Sequence, residues 1–122
     1  MDTGMRPLWL AVGLALLAGQ AVAQQVANAP GGDVRVLDKL NGETTDISLR
    51  NGTPAQVGLL LVTMQDCRYP NGNINGDAYA HLTVSYRNEP APAFSGWMIA
   101  SAPALNAMDH PRYDVWVLRC AS

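Results

Sequence analysis

The side chains that could perform hydrolytic chemistry lie in the last quarter of this 122-residue chain. Ser101, His110 and Asp114 are the residue types of a nucleophile, a general base and the acid that orients the base. Ser101 is not part of a G-x-S-x-G sequence, and no oxyanion-hole signature accompanies it. A hydrolase-like enzyme is therefore the last of three functional hypotheses, and we assign no catalytic residue.

Candidate metal ligands occur in two places. His110 lies close to Asp109 and Asp114 in the sequence, but two carboxylates and one imidazole at this spacing are common by chance. The segment NGNINGD, residues 71–77, is similar in composition to a calcium-binding loop. It has one carboxylate and lacks the glutamate that closes such a loop with two oxygens. We predict neither a metal ion nor any other cofactor.

Large aromatic side chains are concentrated near the end of the chain, at Phe94, Trp97, Tyr113 and Trp116. Aromatic residues dominate the cores of small domains, so core packing is one interpretation. A docking groove lined with aromatic rings is the other. In that second interpretation Trp97 and Trp116 form one surface, and the domain is a small-ligand or glycan-binding module.

Short apolar runs separated by turn residues predict β-structure. Ala78 to Arg87 alternates most regularly and predicts a half-buried strand, with alternate residues from Ala80 inside and from His81 outside. The other candidate strands are 34–40, 44–49, 56–66, 94–100 and 113–120. Asn41-Gly42 predicts a hairpin turn between the first two of these, and Gly58 predicts a bend in the third.

Residues 101–108 are predicted to form a short helical turn. Ser101 suits the N-cap and Pro103 suits the first turn, while Pro111 ends the segment because the residue before a proline avoids the helical region. We expect Trp97 and Leu105 to pack together beneath this turn. The predicted fold class is all-β: a small antiparallel sandwich or barrel of six to seven strands with one short helical turn and one disulfide.

The chain begins with the pattern of a secretory signal peptide. Arg6 precedes an apolar run from Leu8 to Ala18, which is shorter than the roughly 20 residues of a membrane span. Ala21-Val22-Ala23 has small residues where a signal peptidase reads them. We predict a signal peptide over residues 1–23 with cleavage after Ala23, a disordered lead-in over 24–32 and a single β domain over 33–122. The mature protein is expected in the periplasm, without a membrane span.

The two cysteines of the chain, Cys67 and Cys120, both lie in the predicted mature domain. Two cysteines in an exported chain indicate one disulfide bond. A redox-active pair is disfavoured because the sequence contains no C-x-x-C spacing. The bond would close a loop of about fifty residues, for which the chain-entropy model gives roughly 4 kcal/mol of stabilisation.

The charge of the chain argues against a nucleic-acid partner. The formal net charge is −2, and the basic residues are scattered rather than clustered. Our leading hypothesis is a non-enzymatic periplasmic domain that binds or braces a partner protein of the cell envelope. The predicted partner-binding residues lie at the edges of the expected turn and on the strand that follows: His110, Arg112, Tyr113 and Trp116.

The second half of the chain contains a long and specific run of residues: FSGWM at 94–98, SAPAL at 101–105, His110-Pro111 and YDVW at 113–116. VLDK at 36–39 with Gly42, and the two cysteines, accompany it. Together these residues resemble the domain-of-unknown-function 2155 family of exported alphaproteobacterial proteins. The resemblance covers residues 33 to 120 and implies export and one disulfide, but no particular activity.

Two further expectations come with this resemblance. Family members typically carry a proline- and glutamate-bearing stretch after the first cysteine, whereas this chain has YPNGNING at 69–76, so the role of that loop stays open. Family genes often lie near the gene for an accessory subunit of the respiratory NADH dehydrogenase. The resemblance therefore implies a respiratory membrane complex as a candidate partner.

Overall fold

A computed structural model describes residues 25–122, which form eight antiparallel strands in two sheets. The strands are β1 (Val26–Ala29), β2 (Gly31–Asp38), β3 (Glu43–Arg50), β4 (Ala55–Val57), β5 (Leu60–Pro70), β6 (Tyr79–Tyr86), β7 (Phe94–Ile99) and β8 (Tyr113–Cys120). Sheet A has the order β1-β5-β6-β7, with β4 also paired to β5, and sheet B has the order β3-β2-β8. The predicted all-β antiparallel class is confirmed, with eight strands rather than six or seven.

Most of the segment predicted to be a disordered lead-in, residues 24–32, is instead part of two strands. Val26–Ala29 forms β1 and pairs with the end of β5, where Ala29 lies opposite Cys67. Pro30 separates β1 from β2, so the chain passes from sheet A to sheet B across one residue. The glycines that suggested disorder serve close packing, since a Cβ on Gly32 would lie 2.6 Å from the carbonyl oxygen of Arg119. The predicted signal peptide, residues 1–23, lies outside the described residues.

Glycines mark the two hairpin turns at the start of the fold. Residues 39–42 join β2 to β3, so a hairpin turn is present where the sequence predicts one; Gly42 has a φ of 77°, but Asn41 lacks the positive φ that a type I′ turn at Asn41-Gly42 would require. The single strand predicted over residues 56–66 is wrong, because β4 and β5 form a hairpin with Val57 opposite Leu60. Gly58, with a φ of 57°, lies in the turn between them. The continuous apolar run therefore spans two paired strands rather than one.

The segment of residues 100–112 connects β7 in sheet A to β8 in sheet B without forming the predicted helical turn. No helix forms among residues 25–122, and hence none that is long and apolar enough to cross a membrane. Ser101 does not cap a helix: its backbone N donates to Asp77 Oδ1 at 2.9 Å and its hydroxyl to Asp77 Oδ2 at 2.5 Å. These bonds anchor the start of the connection to the loop before β6.

The core is built from the facing surfaces of the two sheets. The inward side chains of β5 and β6 are Leu60, Val62, Met64, Leu82 and Val84, and those of β2 and β8 include Val34, Val36, Val115 and Val117. The alternation predicted for residues 78–87 is confirmed, since Ala80 is buried while His81 faces outward. The expected packing of Trp97 on Leu105 is wrong, because these residues are 40% and 75% exposed.

The two sheets are joined by the predicted disulfide between Cys67 in β5 and Cys120 in β8, whose Cα atoms lie 5.8 Å apart. Each cysteine follows a β-bulge. In β5, Met64 pairs with Leu82 and Asp66 with His81, so Gln65 is the extra residue. In β8, Val117 pairs with Val34 and Arg119 with Asp33, so Leu118 is extra. Each bulge turns the following cysteine into the core, whereas strict alternation would place Cys120 on the outer face with Trp116.

Candidate functional site

Tyr113, predicted to lie on an exposed recognition edge, is a core residue. It is only 2% exposed, and its hydroxyl accepts a hydrogen bond from the backbone N of Leu59 at 3.2 Å. Leu59 lies in the turn between β4 and β5, so the phenol ties that hairpin to the start of β8. A Cβ on Gly58 would lie 2.7 Å from the Tyr113 hydroxyl, which explains the small residue there. The prediction that Tyr113 binds a partner assumed an exposed side chain, and that assumption is wrong.

His110 shapes the chain just before β8. Its Nδ1 atom accepts hydrogen bonds from the backbone N of Arg112 at 3.1 Å and of Tyr113 at 3.2 Å. Both donors are backbone amides, so Nδ1 must carry no proton in this arrangement. The ring is half-buried against Tyr86, with ring centroids 4.5 Å apart. His110 thus fixes the entry into β8.

Arg112 clamps the start of β8 to the end of β2. Its Nε and Nη2 atoms donate to the two carboxylate oxygens of Asp38 at 3.2 and 3.0 Å. The hydrogen bond from Arg112 is the main cause that lowers the pKa of Asp38 below its ordinary value, and burial opposes it. The same bond raises the pKa of Arg112. Two of the predicted binding side chains, His110 and Arg112, therefore have structural partners within the domain.

Trp116, the fourth predicted residue, faces outward from sheet B among paired charges. It lies opposite Arg35, whose guanidinium donates to both oxygens of Asp46 at 2.7 and 2.9 Å. This bond lowers the pKa of Asp46. Along the same face, Asp33 accepts from Arg119 at 2.6 Å. The outer face of sheet B is thus a ladder of cross-strand ion pairs.

The two tryptophans do not share a surface. Trp97 lies in β7 and faces outward from sheet A, whereas Trp116 faces outward from sheet B. The prediction of one aromatic surface formed by both is therefore wrong. Ligand binding through either tryptophan would have to use one sheet face alone.

The residues considered for catalysis or metal binding are not assembled into a site. Ser101 donates a hydrogen bond to Asp77, and His110 Nδ1 accepts hydrogen bonds from two backbone amides. Asp114 forms an ion pair with Lys39 at 3.3 Å. Within residues 25–122, no group of three or more His, Cys, Asp or Glu side chains could hold a metal ion. Asp77 has a lowered pKa although burial would raise it, because hydrogen bonds from Ser101 and the Ala78 amide favour its charged form.

The outer face of sheet A carries a set of polar side chains around Trp97, of which one, Arg68, is charged. We call it the tryptophan face; it comprises Gln65, Arg68, His81, Thr83, Ser95 and Trp97. His81 and Trp97 are cross-strand neighbours with ring centroids 5.3 Å apart, in an edge-on arrangement. The Arg68 guanidinium lies over the indole, 4.9 Å from its centroid, and pairs with Asp66 at 2.8 Å.

A hydrogen-bonded chain crosses the three strands of the tryptophan face. His81 Nδ1 and Gln65 Oε1 lie 3.1 Å apart, and Gln65 Nε2 donates to Thr83 Oγ1 at 2.8 Å. Thr83 Oγ1 and Ser95 Oγ then lie 3.5 Å apart. Sequence reasoning placed His81 and Thr83 on one polar strand face but missed Gln65 and Ser95, because the register between β5, β6 and β7 cannot be read from their separate patterns.

The edge strand β3 has its outer side open. The backbone N of Lys39 donates to the carbonyl of Arg112, so odd-numbered residues of β2 direct their backbone groups towards β8. Even-numbered β2 residues then face β3, and Thr44, Asp46 and Ser48 direct their own backbone groups away from β2. These three residues are exposed, and their backbone groups have no hydrogen-bond partner within residues 25–122.

The other strand that borders sheet B is not accessible in this way. By the same alternation Val115 and Val117 of β8 direct their backbone groups away from β2. These residues are 3% and 2% exposed, so that side of β8 is covered. The edge of β7 in sheet A is also occupied in part, since Asn106 Nδ2 donates to the Trp97 carbonyl at 2.8 Å. Strand β3 is therefore the long open edge of the described domain.

Comparison with known proteins identifies relatives but no activity. The family model described as "Uncharacterized protein conserved in bacteria (DUF2155)" matches residues 32–120. An uncharacterized protein of Rickettsia prowazekii (strain Madrid E) is 26% identical over 96 residues, which cover 76% of this chain and 62% of that protein. The chain thus spans less than two thirds of the length of this curated relative. No solved structure matches.

Proposed function

This chain belongs to the DUF2155 family of uncharacterized bacterial proteins, and from that premise we propose that it is a non-enzymatic periplasmic domain that binds a partner protein of the cell envelope along β3. The open edge of β3 carries the proposal. An extended segment of another protein can pair with such an edge, and the main-chain hydrogen bonds then supply affinity while alternate side chains supply specificity.

The side chains of β3 indicate which segment would fit. Glu43 and Arg50 lie near opposite ends of the strand, and neither forms an ion pair within residues 25–122. Asp46, in the middle, is already neutralised by Arg35. A complementary segment would therefore carry a basic residue opposite Glu43 and an acidic residue opposite Arg50.

The inner side of β3 offers a place for partner side chains. Glu43 and Thr45 point towards sheet A but remain exposed, because the β4–β5 hairpin does not cover them. They border a cleft of about 90 Å³ that is also lined by Val57 and Tyr113. A small side chain of an added strand could enter this cleft, so the hairpin that Tyr113 anchors would help to define the docking edge.

The compartment and the partner class are part of the same proposal. The Cys67–Cys120 disulfide supports an oxidising compartment, since such bonds persist outside the cytoplasm. The signal-peptide pattern of residues 1–23 supports export. We propose a protein of a respiratory membrane complex as the first partner to test.

A proline at Thr44 tests the edge directly. The Thr44 amide faces the open side, so Thr44→Pro removes no β2–β3 hydrogen bond, yet it removes a donor that an added strand would use. Thr44→Ala keeps the amide and is the matched control. With a photo-cross-linking residue at Asn41, we expect the same envelope protein to be captured by the wild type and Thr44→Ala, and to be lost from Thr44→Pro. Equal capture by all three folded proteins would exclude strand addition at β3.

A further inference from the structure

We infer that the tryptophan face is a binding site for a neutral oligosaccharide, separate from the open edge of β3. Trp97 is 40% exposed on the outer face of sheet A, and β3 lies in sheet B. The inference rests on three properties of this face: the direction of its hydrogen bonds, its balance of charge and its exposed indole.

The Gln65 amide gives the hydrogen-bonded chain its direction at His81 and Thr83. Because Gln65 donates through Nε2 to Thr83, its Oε1 atom faces His81 Nδ1, and an amide oxygen can only accept. His81 Nδ1 therefore carries a proton, which leaves Nε2 of the neutral ring as an acceptor. Thr83 accepts from Gln65; in its contact with Ser95, at 3.5 Å, either hydroxyl can be the donor, and the exposed Ser95 hydroxyl can donate or accept outward.

The chain thus ends in one free acceptor, His81 Nε2, and one free hydroxyl, that of Ser95. No hydrogen bond to His81 Nε2 forms within residues 25–122, and Ser95 is exposed. A hydroxyl group can donate to the first and another can accept from the second. A ligand with several hydroxyl groups on one rigid frame satisfies both ends together, and this is the defining chemistry of a sugar.

The charge on the face selects against ionic ligands. Its one member of fixed charge, Arg68, pairs with Asp66 at 2.8 Å and also lies over the indole. Besides His81, the members Gln65, Thr83 and Ser95 carry amide or hydroxyl side chains. By contrast, the outer face of sheet B is a ladder of ion pairs. A phosphate or an acidic peptide would find no unpaired cation beside Trp97.

The indole supplies the apolar part of the site. Trp97 lies next to His81 across the strand pair and is partly open to solvent. A pyranose ring has one face made of C–H groups, and covering an exposed aromatic surface with it removes apolar area from water. An aromatic platform beside outward-facing donors and acceptors therefore matches a sugar ring in both polarity and shape.

Titration with three oligosaccharides tests the inference. The probes are chitotriose, cellotriose and maltotriose, each added to the disulfide-bonded protein at millimolar concentration and followed by calorimetry and by Trp fluorescence. We expect at least one to bind and Trp97→Ala to weaken that binding about tenfold or more, the equivalent of a stacking contact of about 1.4 kcal/mol. Trp116→Ala, which changes the tryptophan on the opposite sheet, should bind the sugar as the wild type does.

A second substitution separates the polar chain from the indole. Thr83→Val keeps the shape of the side chain and removes the hydroxyl that links Gln65 to Ser95. We expect a several-fold weaker affinity while the melting temperature shows that the domain remains folded. Failure of all three sugars to bind the wild type, or equal affinity of the wild type and Trp97→Ala, would overturn the inference. Loss of sugar binding leaves partner capture at β3 unaffected, so the two proposals fail independently.

Discussion

Single side chains near β8 hold the fold together where the sequence suggested a recognition surface. The Tyr113 hydroxyl accepts from Leu59, His110 accepts from two amides, and Arg112 pairs with Asp38. The Tyr113 and Arg112 contacts connect residues that are far apart in the chain, whereas His110 bonds to residues just after it. Tyr, His and Arg side chains occur both in binding sites and in buried polar contacts. The sequence could not distinguish these two roles, and the tertiary structure was needed to show which one applies.

The Asp38–Arg112 pair should make stability depend on pH. Asp38 has a lowered pKa in the folded domain because Arg112 bonds to its charged form. As the pH falls, Asp38 therefore takes up a proton in the unfolded chain before it does so in the folded domain. The stabilisation that the Asp38–Arg112 pair gives is fully present above the ordinary carboxyl range and is lost as the pH falls through the pKa of Asp38 in the folded domain. We expect the free energy of unfolding to fall less steeply below about pH 5 in Arg112→Ala than in the wild type, measured by urea denaturation.

The control for this experiment is Arg87→Ala, which removes an exposed arginine that forms no ion pair within residues 25–122. Its pH profile should follow the wild type. Asp46 and Asp77 also have lowered pKa values, so part of the acid dependence should remain in Arg112→Ala. Identical profiles for Arg112→Ala and the wild type would show that the pair contributes nothing measurable.

At the scale of elements, the two bulges decide where the cysteines point. Met64 and Cys67 are both buried although three positions separate them, and the same is true of Val117 and Cys120. In an uninterrupted strand, residues three apart face opposite sides of the sheet. The extra residues Gln65 and Leu118 each shift the alternation of inward and outward side chains by one position. The disulfide depends on both shifts, because they turn Cys67 and Cys120 into the core.

Deletion of Gln65 should therefore prevent the disulfide. The shortened β5 would place Cys67 on the outer face of sheet A, or else expose Leu60, Val62 and Met64. We expect both thiols to react with an alkylating reagent in the exported protein, as measured by mass spectrometry, and the melting temperature to fall. Deletion of Asn75, an exposed residue of the loop before β6, is the matched control and should leave the bond intact. A fully formed disulfide in the Gln65 deletion would contradict this view of the bulge.

The elements that the sequence predicted are those whose pattern is local. The alternation of β6 and the hairpin between β2 and β3 depend on neighbouring residues, and both are confirmed, although the turn is not of type I′. The predicted helical turn after Ser101 is wrong: Ser101 donates its backbone N–H and its hydroxyl to Asp77, which is distant in sequence, and so is tied to the loop before β6 instead of capping a helix. The tryptophan face and the open edge of β3 depend on strand register, which no single strand encodes.

For the whole molecule, the predicted processing site fits the order of the strands. Cleavage after Ala23 would leave Gln24 as the first residue, two positions before β1 begins at Val26. Strand β1 pairs with the end of β5 and would be retained. We expect N-terminal sequencing of the periplasmic protein to begin at Gln24. A mature chain that begins after Ala29 would lack β1 and contradict this assignment.

The position of the disulfide also determines how the domain would respond to mechanical load. Cys67 lies opposite Ala29 near the first strand, and Cys120 is two residues from the C-terminus. A force applied to the two chain ends is carried across the sulfur atoms, so the residues between the cysteines are left out of the loaded path. With the disulfide intact, only residues 25–67 could then extend, by roughly 150 Å. After reduction of the disulfide, residues 25–122 could all extend, by more than roughly 300 Å. A domain that braces an envelope protein would in this way keep β6, β7 and most of β8 out of the stretched part of the chain.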